Sequence, residues 1–180
     1  MRSVYTRVML KALFLLAVLA AQTLDPPIVD NARVNVRERP TIGGPLGSIV
    51  RKTDSELWIA VAANKVIVIT LKNAKVAPLK NTTGYPNAFP RPGNVKVYED
   101  ARVIVWDYTW TLGKATPMHF HDKDVVVIYL DNGTLKSTTT DGKSVTNKRT
   151  TGETYFNPRD RVHTETLTEG KLRAIITELK

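Results

Sequence analysis

Two histidines in one short β segment constrain this chain more than any other feature. The stretch from Gly113 to Gly133, GKATPMHFHDKDVVVIYLDNG, carries His119 and His121 two residues apart. Successive side chains of a strand point to opposite faces, so both imidazoles are expected on the same face. The only other histidine, His163, lies in a second Gly-bounded segment, GETYFNPRDRVH. Three imidazoles gathered in two such segments indicate a site for a metal ion.

The rest of the chain has the spacing of an all-β protein. Short apolar and β-branched runs, such as ELWIAVAA, ARVIVWDYTW and VVVIYL, alternate with NG, DG, TG and EG turns. This pattern predicts an antiparallel sandwich or barrel, and no segment after residue 21 has a helical period over three turns. The segment 81–94, NTTGYPNAFPRPGN, has three prolines and no periodicity, and it is expected to be a long loop.

Composition excludes several classes of site. Cysteine is absent, which rules out disulfides, thiolate metal ligands and a cysteine nucleophile. The formal net charge is +9, and without the first 20 residues, which hold three basic and no acidic groups, it is +6. The basic residues are spread singly along the strands rather than grouped around stacking aromatics, so we expect no nucleic-acid partner.

The N-terminus has the three parts of a secretory signal peptide. Residues 1–11 are basic, residues 12–20 form the apolar run ALFLLAVLA, and small residues follow. We expect cleavage after Ala20 or Ala21 and a periplasmic or secreted mature protein. The alternatives are an uncleaved anchor or a buried helix, but the run is shorter than the ~20 residues that a bilayer requires. The mature protein is therefore expected to have no membrane span.

A weak internal similarity links the two halves of the chain. With an offset of 69, six residues of 30–67 are identical to their counterparts in 99–136. Val50 and Lys52 then fall where His119 and His121 stand. The N-terminal half is interpreted as a degenerate, metal-free partial repeat, or alternatively as strands that extend or flank one barrel.

The spacings around the histidines resemble the two motifs of the cupin superfamily. The first motif is Gly, five residues, His-x-His, three or four residues, Glu, six residues, Gly, and the second is Gly, five residues, Pro-x-Gly, two residues, His, three residues, Asn. The matching residues are Gly113, His119, His121, Gly133, Gly152, Pro158 and His163. The resemblance implies a cupin-type antiparallel β-barrel (a double-stranded β-helix or jelly roll) over 95–180. Before it lie a signal peptide, 1–20, and N-terminal strands with the Pro-rich loop, 21–94.

The departures from the motifs change the implied site. Val126, counted with four intervening residues, stands where the family has Glu, while Asp160 and Leu167 replace the motif Gly and Asn. The implied metal ligands are His119, His121 and His163. Such an all-imidazole site leaves a divalent transition metal (Fe, Zn, Cu, Ni or Mn) its full charge, which favours an anionic or enolisable ligand. Replacing Val126 with Glu is expected to rebuild a four-ligand site.

Four other side chains are candidates for the site. Glu165 and Arg161 share strand parity with His163, so Glu165 can support or join the ligands and Arg161 can clamp a bound carboxylate or enolate. The simpler interpretation of Arg161 is a surface cation. Asp124 is a candidate ligand or a turn residue. Tyr155, if it faces inward, can act as an acid or hydrogen-bond donor.

Three functions remain open from the sequence. Three-His cupins resembling this chain include thiol dioxygenases and a β-dicarbonyl-cleaving iron enzyme, which favours a non-haem metal-dependent dioxygenase acting on a small molecule. The alternatives are a Zn- or Ni-dependent hydrolase or isomerase, and a non-catalytic module that binds a metal or small ligand. Exposed strand edges favour a homodimer.

Overall fold

The computed structural model describes residues 25–41 and 43–180, which form fourteen β-strands and no helix. The strands are β1 (Val29–Asp30), β2 (Val34–Pro40), β3 (Ile49–Lys52), β4 (Glu56–Ala62), β5 (Lys65–Leu71), β6 (Asn94–Glu99), β7 (Val103–Trp110), β8 (His119–His121), β9 (Asp124–Tyr129), β10 (Gly133–Thr139), β11 (Ser144–Arg149), β12 (Thr154–Asn157), β13 (Arg161–Gly170) and β14 (Leu172–Leu179). They assemble into three antiparallel sheets. The predicted all-β class is confirmed.

The first five strands form a sheet of their own, in the order β1-β2-β5-β4-β3. These strands are rich in Val and Ile, whose branched side chains pack well on a pleated surface. One core takes in their buried apolar side chains: Val34, Val36, Leu57, Ile59, Val61, Ile67, Ile69 and Leu71. A single sheet would leave these groups in water, so a second apolar layer has to cover them.

The other two sheets lie face to face and form a barrel. One has the order β12-β9-β14-β7-β6, and the other has the order β11-β10-β13-β8. A second core fills the space between them: Ala88, Phe89, Trp106, Tyr108, Trp110, Val125, Val127, Tyr129, Leu135, Leu167, Leu172, Ala174 and Ile176. The barrel starts with β6 at Asn94.

The five-stranded sheet of the barrel is the middle layer of the molecule, because both of its faces are buried. On β9, Val126 and Ile128 pack against the N-terminal sheet, whereas Val125 and Val127 point into the barrel. Burial on two faces explains why VVVIYL is a continuous apolar run instead of an alternating one. Full burial of each such side chain contributes about 1.5–3 kcal/mol, so slippage of β9 by one residue would be costly.

Two arginines add polar contacts between the N-terminal sheet and the barrel. Arg33 Nη1 donates to Asp124 Oδ2 over 2.7 Å, and both side chains are buried. Arg102 donates to the carbonyl oxygens of Asp54 at 2.9 Å and Lys72 at 2.6 Å. Because a buried charge is stable only when paired, the first contact fixes the orientation of the two layers as well as holding them together.

The Pro-rich loop between β5 and β6 pairs with the histidine strand. Ala88 N donates to Phe120 O at 2.7 Å, and Phe120 N donates to Pro86 O at 2.9 Å. These bonds satisfy the edge of β8 that faces away from β13. The loop is therefore anchored beside His119 and His121.

The strand positions of the two halves repeat, but the pairings do not. With the offset of 69, strands β2 to β5 start within one residue of β7 to β10. However, β2 pairs with β5, whereas β7 pairs with β14 and β6. The N-terminal strands thus flank the barrel as a separate sheet, and a common origin of the halves stays a prediction.

The predicted signal peptide lies outside the described residues. Within residues 25–41 and 43–180, no helix has the length and hydropathy that crossing a membrane requires.

Candidate metal centre

The three histidines meet inside the barrel. β8 carries His119 and His121, β13 carries His163, and the two strands pair with His163 opposite His119. All three side chains are buried, and their ring centroids are 5.1, 4.8 and 5.0 Å apart. One ring nitrogen from each lies within 4.8 Å of the others. The structure therefore brings together all three predicted ligands.

Hydrogen bonds orient two of the rings so that Nε2 faces the shared space. His119 Nδ1 lies 2.8 Å from Pro117 O, which can only accept, so Nδ1 carries the proton and Nε2 keeps its lone pair. His163 Nδ1 lies 3.4 Å from Ser137 Oγ. The Nε2 atoms of His121 and His163 are 3.2 Å apart. An imidazole whose second nitrogen is held in this way is a prepared metal ligand.

Burial keeps these imidazoles neutral. Desolvation, followed by the nearby Arg91 charge, lowers the pKa of His119 to about 4. Desolvation, followed by Arg161, lowers the pKa of His121 well below its usual value, and burial also lowers the pKa of His163. Because a metal binds the neutral imidazole, the site is in its ligating form at neutral pH.

Glu165 is the carboxylate of this site. It follows His163 by two residues on β13, and its Oε1 lies 3.9 Å from His163 Nε2. Its Oε2 accepts hydrogen bonds from Arg91 Nη2 and Trp110 Nε1, both at 3.2 Å. Burial alone would raise the pKa of Glu165, but Arg91 and the imidazoles outweigh it and lower that pKa. Glu165 is therefore ionised beside the histidines.

Arg91 is the site residue that sequence reasoning missed. It comes from the Pro-rich loop, and its guanidinium lies over the rings of Tyr108 at 4.1 Å and Phe89 at 5.0 Å. Its Nη1 is 2.9 Å from His119 Nε2. A lone arginine in an aperiodic loop has no pattern that marks it as buried. The prediction treated this loop only as a connection.

A small cavity of about 170 Å³ opens beside the histidines. Its lining residues are Phe89, Arg91, Trp110, His121, Val125, Val127, Tyr129, Leu135, Ser137, Asn147, Arg149, Asn157, Arg161, His163, Glu165 and Ile176. This volume is below the range of about 300–1,000 Å³ that is usual for drug-sized ligands, so the cavity suits a small molecule. Three lining residues are arginines and one is a carboxylate, so the cavity is cationic.

Comparison with known proteins gives structural similarity only. No family model matches the sequence, and no curated protein matches it. The chain is similar to a cupin domain from Bordetella pertussis Tohama I, with 28% identity and a TM-score of 0.44 over 51% of this chain and 97% of that one. It is similar to a cupin-2 domain containing protein from Shewanella frigidimarina, with 22% identity and a TM-score of 0.39 over 51% and 83%. An RmlC-like cupin family protein with a double-stranded β-helix fold, from Methanocaldococcus jannaschii, has 17% identity and a TM-score of 0.40 over 59% and 91%.

The arrangement of the two motif strands agrees with the resemblance found in the sequence. The strands that carry His119 and His163 are far apart in sequence, yet they pair directly in a barrel of two antiparallel sheets. The chain carries an antiparallel barrel of the cupin type, in which the two motif strands pair. The expectations from the sequence are thereby confirmed for the fold and for the grouping of the three histidines.

The placement of Val126 at the metal was wrong. Val126 is fully buried in the core between the barrel and the N-terminal sheet, on the face of β9 opposite the histidines. Val125, one residue earlier, points to the cavity. The motif allows three or four residues before its carboxylate position, and the count of four selected the wrong face of the strand.

Asp124 also points away from the histidines. Its Oδ2 accepts from Arg33 at 2.7 Å, and its Oδ1 accepts from the backbone N of Arg159 at 2.9 Å. Both oxygens are thus committed to structural contacts on the outer side of the barrel. The suggestion that Asp124 is a metal ligand has no support in this arrangement.

The structure brings Arg161 to the cavity but not Tyr155. Arg161 pairs with His121 across β13 and β8, and its Nε donates to Pro158 O at 3.0 Å. Tyr155 is exposed at the edge of the barrel, its hydroxyl donates to Glu153, and it does not line the cavity. An acid role for Tyr155 is therefore not favoured.

Proposed function

We propose that this cupin binds a divalent transition metal through His119, His121 and His163 and acts there on a small anionic substrate. The observation that carries the proposal is the convergence of three neutral, buried imidazoles on one point of the barrel interior. Imidazole nitrogen suits Fe, Cu, Ni and Zn, so the donor set fits such an ion. Three protein ligands leave coordination positions for water and substrate.

The charge of the cavity supports an anionic substrate. Arg91 pairs with Glu165, and Arg149 pairs with Glu153. Arg161 is different, because no carboxylate among the described residues lies within 4.0 Å of its guanidinium. Burial lowers the pKa of Arg161, but a guanidinium stays charged at neutral pH. We assign Arg161 to the carboxylate or enolate of the substrate, which it can bind with two parallel hydrogen bonds.

The reaction that we propose is oxidation by dioxygen of a small enolisable or thiol-bearing anion. A bound metal would hold the substrate and dioxygen together. The chain itself would orient the substrate through Arg161, and the apolar wall of Val125, Val127 and Ile176 would limit the entry of water. We also propose that the protein works after export, which the N-terminal sequence supports.

The first experiment measures metal content and oxygen uptake. Protein purified without added metal is analysed for bound metal, then tested with a panel of β-dicarbonyls and thiols in an oxygen electrode. We expect about one metal ion per chain, and its loss in His119→Ala and His163→Ala. Folded wild-type protein that binds none of Fe, Cu, Ni, Zn and Mn would refute the proposal.

The second experiment separates catalysis from binding alone. Arg161→Met is compared with Arg161→Lys, which keeps a charge but not the two-pronged guanidinium. We expect KM for the substrate to rise at least tenfold in Arg161→Met, and less in Arg161→Lys, with unchanged metal content. Metal binding without oxygen uptake on any substrate would instead favour a hydrolase, an isomerase or a non-catalytic binding module.

A further inference from the structure

We infer that Arg91 and the metal ion compete for His119, and that Glu165 is a metal ligand that Arg91 otherwise neutralises. The inference rests on the proposed metal site and adds two residues to it. In this arrangement Glu165 and His119 lie beside either the Arg91 guanidinium or a metal ion, and the two cations exclude each other.

The competition follows from how closely Arg91 lies against His119. Arg91 Nη1 is 2.9 Å from Nε2 and 3.4 Å from Nδ1 of His119, so the guanidinium lies over the face of the ring. His119 Nδ1 is committed to Pro117 O at 2.8 Å, which leaves Nε2 as the nitrogen that can bind a metal. A metal ion on Nε2 would therefore meet the Arg91 guanidinium at close range. Arg91 must leave His119 when the metal binds.

Charge reinforces this exclusion. A guanidinium and a divalent ion on the same imidazole would repel each other strongly, because the barrel interior screens charge poorly. The buried Glu165 carboxylate, in turn, requires a cation beside it. Arg91 Nη2 now fills that role at 3.2 Å. A metal ion at the histidines would fill the same role.

Glu165 lies where its carboxylate can bind a metal ion held by the histidines. It lies on the same face of β13 as His163, and its Oε1 is already 3.9 Å from His163 Nε2. Only its Oε2 is taken up by Arg91 and Trp110. In the cupin motif the carboxylate comes from the strand after the histidine pair, where this chain has Val125 and Val126. The geometry points to a carboxylate supplied from β13 instead.

Arg91 can move without its loop. The backbone around it is held by Arg91 N with Asn94 Oδ1 at 3.2 Å, and the loop is anchored on Phe120. The side chain is held less completely, because its buried Nε has no hydrogen-bond partner among the described residues. Its guanidinium lies over the rings of Tyr108 and Phe89, which do not fix it by directional bonds. The exchange is thus a side-chain rotation rather than a loop opening.

Metal affinity of variants tests the inference without any catalytic assay. Zn²⁺ and Co²⁺ affinities are measured by competition with a chromophoric chelator for wild type, Arg91→Met, Glu165→Gln and the double variant. We expect Arg91→Met to bind metal roughly ten- to hundredfold more tightly, the range that loss of a competing charged hydrogen bond implies. Glu165→Gln is expected to bind at least tenfold more weakly. The visible spectrum of bound Co²⁺ should change in Glu165→Gln, because a ligand is lost.

Arg149→Met is the matched control. Arg149 lines the same cavity but pairs with Glu153, so its removal takes away a cation without a contact to the three histidines, and we expect less than a threefold change in affinity. Circular dichroism and thermal unfolding check that each variant folds. A wild type that binds metal, together with a folded Arg91→Met that binds no more tightly, would overturn the competition. Unchanged affinity and Co²⁺ spectrum in Glu165→Gln would overturn its role as ligand. No metal binding by wild type or Arg91→Met would refute the proposed function itself.

Discussion

The two faces of the middle sheet carry similar residues but have different surroundings, because one borders the cavity and the other packs against the N-terminal sheet. Val125 and Val126 are neighbours of the same type on β9, yet one lines the cationic cavity and the other seals the core against the N-terminal sheet. The outer face is mainly apolar and also carries the Arg33–Asp124 and Arg173–Asp107 ion pairs. The inner face borders a cavity lined by two imidazoles, three arginines and a glutamate. The face on which a side chain lies depends on its odd or even position along the strand, more than on its residue type.

The strongest test of this contrast places the same charge on each face. Val126→Glu would bury a carboxylate without a partner, so we expect a loss of about 4 kcal/mol or more in the free energy of unfolding. Val125→Glu points to Arg91, Arg161 and the metal site, so its cost should be smaller and its metal retention stronger. Chemical denaturation and chelator competition on both variants provide the measurements. Equal stability of the two variants would contradict the assignment of the faces.

Lowering the pH is expected to reduce the stability of the fold through the histidines that the inner face of the middle sheet borders. The folded pKa of His119 is about 4, whereas an unfolded histidine has a value near 6.5. Below pH ~6.5 His119 takes up a proton in the unfolded chain but stays neutral in the folded, metal-free protein. Its stability is therefore complete above pH ~6.5 and falls progressively toward pH 4, by roughly 3 kcal/mol for His119 alone.

Unfolding of metal-free protein between pH 4 and 7.5 checks this sign. His119→Gln should flatten part of the profile, since an amide does not titrate. A stability that rises on acidification, or a profile that His119→Gln leaves unaltered, would argue against neutral buried imidazoles.

The Arg33–Asp124 salt bridge, beside the outer face of the middle sheet, should contribute to the stability of the fold but not to metal affinity. Asp124→Asn removes the charge that Arg33 faces at 2.7 Å, and we expect a loss of about 2 kcal/mol, because Arg33 keeps a bond to Lys180 O at 3.1 Å. Metal affinity should stay within twofold of wild type. A marked loss of metal would return Asp124 to the list of ligands.

The smallest effect is expected at the edge of the barrel. Tyr155→Phe removes a hydroxyl that donates to Glu153 at an exposed position, so stability should change by less than about 0.5 kcal/mol. Metal affinity and KM should not change. A fall in turnover with unchanged metal content would restore the acid role predicted from the sequence.

Periodicity and spacing predicted the parts of the site that lie on strands. His119, His121 and His163 were found because two-residue alternation and motif spacing are local properties. Glu165 and Arg161 followed from parity with His163 on one strand. Val126 failed because the turn between β8 and β9 sets the phase of the next strand, and the motif spacing allows either phase. Such a phase depends on which core each side chain enters.

Periodicity and spacing did not predict the contacts of the Pro-rich loop or the separate N-terminal sheet. Arg91 reaches the histidines only because Phe120 binds the Pro-rich loop, a contact between segments about 30 residues apart in sequence. The N-terminal strands were correctly placed as strands, but their separate sheet depends on pairing between β2 and β5. Sequence alternation shows that a face is buried and does not show what covers it.

Because the N-terminal sheet covers the outer face of the middle sheet, it also determines whether the barrel can be separated from the rest of the chain. Excision at residue 94 would strip the shielding from Val103, Val105, Val126, Ile128, Leu130, Ile175 and Leu179. A fragment with such a bare hydrophobic wall would be prone to aggregate instead of folding as a portable unit. The barrel and the N-terminal sheet are therefore expected to fold as one unit, because each covers an apolar face of the other.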